Sequence, residues 1–154
     1  MKKLSLLLSA LLVFLSFAGC ASHNTQNLSA GLSVDLTDGE LIEYSDTHGG
    51  FHGDGECRAK MTFSQQAADT LCSALSASDY WTSLPMTENI SSALEYGNAD
   101  FPPIEAGYYL FFDRSDQSRD IKDLSEFQSR YSFNYTAAVY DADSRTLYYY
   151  DLDT

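Results

Sequence analysis

The chain has 154 residues, 22 acidic and nine basic, with a formal charge of −13. Such a field repels phosphate backbones and anionic headgroups, which excludes nucleic acid as a partner and means that membrane association cannot come from surface charge. With 44% hydrophobic residues and only three cysteines, the chain can bury one domain's core without metal or disulfide staples.

Lys2 and Lys3 precede an apolar run from Leu4 to Ala18 that only Ser5, Ser9 and Ser16 interrupt. A basic start and a short apolar stretch mark a secretion signal, and the run falls short of the ~18–20 residues that span a bilayer. Small residues follow it rather than a basic stop-transfer cluster, so no permanent transmembrane helix is expected. Phe17-Ala18-Gly19-Cys20 resembles a bacterial lipobox, with Phe17 where leucine is more usual. This resemblance to bacterial lipoproteins covers residues 1–21. It implies cleavage between Gly19 and Cys20, a diacylglycerol on the Cys20 sulfur and often an acylated new amino terminus. The competing reading is an ordinary secreted protein cut after Ala21. Each buried methylene contributes ~0.8 kcal/mol, so two or three acyl chains such as palmitate hold far better than one. The implied place is extracytoplasmic, on the outer leaflet of the cytoplasmic membrane. In a cell with two membranes the outer one is favoured, because Ala21 is not the aspartate that commonly retains lipoproteins at the inner membrane.

Loss of Lys2 and Lys3 leaves seven basic against 22 acidic side chains, a charge of −15 that favours cationic ligands or basic proteins and also serves solubility. Residues 20–34 are rich in Ser, Asn, Thr and Gly and read as a flexible tether beyond the lipidated cysteine; residues 35–154 read as a single domain. Outside the cytoplasm Cys57 and Cys72 are free to pair, but a strand and a returning helix hold them at different distances from their shared turn. Buried free thiols and a disulfide both stay open.

Within the domain, Glu40 to Thr47 and Glu56 to Phe63 are strand-like, the second alternating Cys57, Ala59, Met61 and Phe63 with polar residues. Ser64 is an N-cap for a helix with Ala67, Ala68, Leu71, Cys72 and Leu75 on one side. A loop holds Trp81, a shorter helix covers Thr87 to Tyr96 and ends at Gly97, and Pro102-Pro103 breaks the chain again. Gly107 to Asp113 is a buried strand, and 116–130 is polar with a short helix or turn. Phe133 to Tyr140 and Thr146 to Leu152 flank Asp141-Ala142-Asp143-Ser144-Arg145 as a closing hairpin. That segment lacks the glycine and distal glutamate of a calcium loop. The order predicts an α+β domain: an antiparallel sheet of about five strands, hairpins at both ends, and one or two helices on one face. Residues 40–154 resemble small uncharacterised bacterial lipoproteins, a likeness that brings no activity or site residue with it.

Two constellations carry possible chemistry. The loop from Asp46 to Glu56 contains His48 and His52, two of three histidines, beside Asp54 and Glu56. Its glycines rule out the helical His-x-x-x-His arrangement, but a loop can converge imidazole and carboxylate on a divalent metal such as zinc. A shaped turn without metal and a metal-dependent enzyme with a histidine base are the alternatives. Tyrosines fill the last hairpin, and alternation sends Tyr148 and Tyr150 away from Tyr149. With Tyr140 they are candidates for an exposed binding surface. No phosphate loop, serine elbow or zinc-ribbon spacing appears. The expectation is a cell-envelope lipoprotein whose domain binds an envelope protein or small ligand without catalysis, with a metal-dependent enzyme or metal-binding protein as the alternative.

Overall fold

A computed structural model describes residues 23–49 and 53–154. Cys20 and His52 lie outside the described residues. The chain divides into two compact units, Met1–Thr37 and Asp38–Thr154. In the first, residues 23–32 form helix α1 where composition predicts an irregular tether. Leu28 and Leu32 are buried one turn apart in the helix, and Leu36 is buried just beyond its end. Ser29 closes the end, accepting from Leu36 N at 3.0 Å through its hydroxyl and from Val34 N at 3.2 Å through its carbonyl. No helix among the described residues is long and apolar enough to cross a membrane.

The second unit is built on a six-stranded antiparallel sheet. In chain order its elements are β1 (Gly39–Asp46), β2 (Gly55–Phe63), α2 (Gln65–Ala77), β3 (Thr82–Ser83), α3 (Glu88–Tyr96), β4 (Gly107–Asp113), α4 (Leu124–Gln128), β5 (Asn134–Asp141) and β6 (Thr146–Asp153). The sheet order is β1-β2-β6-β5-β4-β3, so β6 inserts between β2 and β5. The α+β class and the two terminal hairpins are as the sequence leads one to expect. The sixth strand is β3, whose two residues pair with Tyr108 and Tyr109 and are too few to leave a periodic pattern.

Alternation divides the sheet into two unlike faces. On one, Tyr109, Phe111, Tyr135, Ala137, Val139 and Tyr150 form a core with Ile90, Ala93 and Leu94 of α3 and Phe127 of α4. The rings of Phe111, Tyr135 and Tyr150 follow one another with centroids 5.6 and 5.9 Å apart. On the other face Phe63 and Tyr140 meet edge to face at 6.1 Å, and Tyr140 touches Cys72 of α2. The helices therefore divide between the faces instead of sharing one. Side chains end them: Ser64 accepts from Ala67 N, Thr87 from Ile90 N, and Asp123 from Ser125 N and Glu126 N. Cys57 and Cys72 are free thiols; burial pushes Cys57 up to about 11, so it stays a neutral thiol at ordinary pH.

Candidate functional site

The β1–β2 hairpin is closed at its neck by Thr47, whose N–H donates to Glu56 O at 2.9 Å while its hydroxyl accepts from Glu56 N at 2.9 Å. One residue further, His48 stands opposite Gly55. Gly55 has φ +159°, and a Cβ there would lie 2.6 Å from His48 N and 2.7 Å from Thr47 C. Only glycine lets the two limbs approach this closely. The sheet then supplies the rest, because Gly55 pairs with Asp153 and Cys57 with Asp151 on β6. Lacking a side chain, Gly55 leaves the space over β2 through which the His48 ring reaches β6.

The ring is held by Asp46. Its Oδ1 accepts from His48 N at 3.0 Å and lies 2.8 Å from Nδ1. Burial pushes the Asp46 carboxyl upward, but these bonds from His48 outweigh it and hold the group below the usual range. With Nδ1 engaged by Asp46, Nε2 is the ring nitrogen left for another partner. That atom is buried and has no hydrogen-bond partner among the described residues. It faces Asp151 Oδ1 at 3.8 Å and Asp153 Oδ2 at 3.5 Å.

From the opposite side comes Arg114, just beyond β4. Its Nη2 donates to Asp153 Oδ1 at 2.6 Å and to Leu152 O at 3.0 Å, and its Nη1 pairs with Asp151 Oδ2. Burial opposes its charge, yet the bonds it donates to Asp153 and Asp151 raise its pKa overall. Thr136 adds a hydroxyl to Asp151 at 2.6 Å. Each β6 carboxylate thus has one oxygen on the guanidinium and the other turned toward His48. Three carboxylates against one guanidinium leave an excess of two negative charges around the imidazole.

The ligating atoms of His48, Asp151 and Asp153 lie within 4.8 Å of one another. Ligands held ~2.0–2.2 Å from a tetrahedral zinc stand roughly 3.3–3.6 Å apart, so the two distances from Nε2 need only small closure. Asp46 orients the imidazole through its other nitrogen, as carboxylates do behind metal-bound histidines.

Of the loop residues singled out in the sequence, the structure brings only His48 into this group. Asp54 is exposed and stands apart from it. Glu56 points to the opposite face, where it binds Arg58 at 3.0 and 3.1 Å and accepts from the Tyr150 hydroxyl at 3.2 Å. Strand alternation is the cause, since Glu56 and Cys57 cannot share a face. Asp151, Asp153, Asp46 and Arg114 were missed. Their one sequence signal is the Asp-x-Asp spacing of residues 151 and 153, which places both carboxylates on one side of a strand.

The expected tyrosine surface does not form. Tyr140 and Tyr150 are 0% and 1% exposed and lie on opposite faces. Tyr150 donates to Gly97 O at 2.8 Å, and α3 lies over it. Tyr148 alone is half-buried, with the Lys60 ammonium 5.7 Å from its ring centroid. The rings were misplaced because β5 and β6 are interior strands with packing on both faces.

Fold and site together define an α+β domain with a His/Asp/Asp cluster at one end of its sheet. No family model, curated protein or solved structure matches the chain.

Proposed function

We propose that this chain is an extracytoplasmic lipoprotein, anchored through Cys20, whose domain is a binding module for a divalent cation of zinc-like character at His48, Asp151 and Asp153. The anchor rests on the signal-like residues 1–19 and the lipobox resemblance that follows them. The metal reading rests on one observation: the buried Nε2 of His48, oriented by Asp46 and without a partner among the described residues, faces two carboxylate oxygens at 3.5 and 3.8 Å. Imidazole with carboxylates is borderline ligation suited to zinc, and a divalent ion neutralises the twofold negative excess around the site. Three protein ligands leave a fourth position for water or for a group on a partner.

Equilibrium dialysis of the full chain in phospholipid nanodiscs against zinc tests the metal half of this reading. The expected result is one zinc per chain, lost in His48→Ala and weakened in Asp151→Asn. Zinc uptake unchanged by His48→Ala would refute it. Palmitate labelling tests the anchor: Cys20→Ser abolishes it if Cys20 carries the lipid, and labelling that survives the substitution contradicts the assignment.

A further inference from the structure

A second site lies on the α3 face of the sheet. A cleft of about 460 Å³ opens between the 84–86 segment, one side of α3, the 99–104 segment and β5. Its apolar lining includes Leu84, Met86, Leu94, Phe101, Ile104 and Val139, and Glu95 and Asp100 stand on its wall. The volume lies in the range of small-molecule pockets, and an apolar lining with a few placed polar groups is the usual composition of such sites.

The 97–100 wall is held from beneath. Arg58, reaching up from β2, donates to Asn98 O at 2.7 Å and Ala99 O at 3.1 Å, and Tyr150 donates to Gly97 O at 2.8 Å. Asn98 and Asp100 both sit at positive φ, 57° and 52°, where the side chains of Asn and Asp are best tolerated. A wall fixed in this way exists before any ligand arrives, which lowers the entropy lost on binding.

Charge selects the ligand. Arg58, the cation beside the wall, is engaged by Glu56 at 3.0 and 3.1 Å, and Asp100 is the weakest of the groups that raise its pKa. Among the described residues neither Glu95 nor Asp100 is in an ion pair. The cleft thus combines an apolar floor with two exposed carboxylates, of which Asp100 feels the Arg58 charge without forming an ion pair, on a chain whose overall charge already draws cations toward it.

From this we infer that the cleft binds an apolar organic cation, a compound with a hydrophobic body and one ammonium group, the body resting against Met86, Leu94 and Ile104 and the ammonium between Glu95 and Asp100. The inference is independent of the metal site, which lies on the other face.

Methionine-methyl NMR of the full chain, labelled with ¹³C-methyl methionine in zwitterionic nanodiscs, reads this directly. Met86 lines the cleft, while Met61 is buried on the opposite face and serves as the internal control. The probes share one apolar body: 3,3-diphenylpropylamine, 3,3-diphenylpropanol and 3,3-diphenylpropanoate. The amine is expected to shift Met86 saturably, leave Met61 in place, and bind about tenfold or more tighter than the carboxylate. Glu95→Gln and Asp100→Asn are each expected to weaken the amine about two- to fivefold while leaving the alcohol unchanged. An unmoved Met61 resonance shows in each variant that the core is intact. Equal affinity for amine and carboxylate, indifference of the amine to both substitutions, or no saturable shift at Met86 would each overturn the inference.

Discussion

Replacing Gly55 by alanine tests how the hairpin delivers His48, because the substitution replaces no proposed ligand. The added Cβ would meet His48 N at 2.6 Å and His48 Cα and Thr47 C at 2.7 Å, where ordinary contact begins at 3.4 Å. The obstruction is backbone, so the His48 limb must withdraw by about 0.8 Å, the difference between 3.4 and 2.6 Å. A non-glycine residue held in a sparsely populated conformation costs about 1–3 kcal/mol. For a domain of this size that lowers Tm by roughly 5–15 °C. The effect on metal is sharper, because ligand positions must hold to about 0.2 Å. Zinc at a hundredfold excess over Kd adds about 2.7 kcal/mol to the stability of a protein that binds it only when folded. Differential scanning fluorimetry with and without zinc should therefore show a raised Tm for the natural chain and almost none of that increment for Gly55→Ala. An undiminished zinc increment in Gly55→Ala would refute the claim that His48 reaches β6 over this glycine.

Other substitutions probe separate links. Asp46→Asn removes the negative charge behind the imidazole and should weaken zinc by about 10–100-fold, with little loss of Tm without metal, read by competition against a chromophoric chelator. Arg130→Met strips the charged partner from Asp113, which is only 2% exposed and keeps the Ser115 N–H at 3.0 Å, and a buried carboxylate without its counter-charge should lower stability by about 3 kcal/mol in urea denaturation. Tyr135→Phe removes a buried hydroxyl with no partner among the described residues, and the same assay should show a change within about 1 kcal/mol of zero. Cys57 holds its proton up to about 11, whereas an unfolded thiol releases it near 9.0. The unfolded chain thus binds fewer protons in that window, and stability falls as pH rises from 9 toward 11. Cys57→Ala should flatten the decline in urea midpoints, and a slope equal to that of the natural chain would count against the assignment.

The fold was legible wherever one periodicity governed a segment. The alternation of Cys57, Ala59, Met61 and Phe63 against polar neighbours gives β2, and Ala67, Ala68, Leu71 and Leu75 give α2. The first helix was not legible, because only Leu28 and Leu32 mark its buried side in a stretch otherwise rich in loop-forming residues. The site was half legible. His48 stands out among glycines and Asp151 and Asp153 share a strand face, but the two become neighbours only because β6 inserts beside β2. That pairing joins residues nearly a hundred positions apart and depends on sheet order, which local pattern does not encode. The tyrosines failed for a related reason, since alternation assigns a face without saying whether a helix covers it.

The claim that His48, Asp151 and Asp153 form a cation site is tested most directly by zinc K-edge X-ray absorption on the full chain loaded with one equivalent of zinc. The proposed site predicts one imidazole nitrogen and carboxylate oxygens at about 2.0–2.2 Å, no sulfur ligand, and loss of the imidazole signature in His48→Ala. A shell of water oxygens alone, a sulfur scatterer near 2.3 Å, or an imidazole that survives His48→Ala would contradict it.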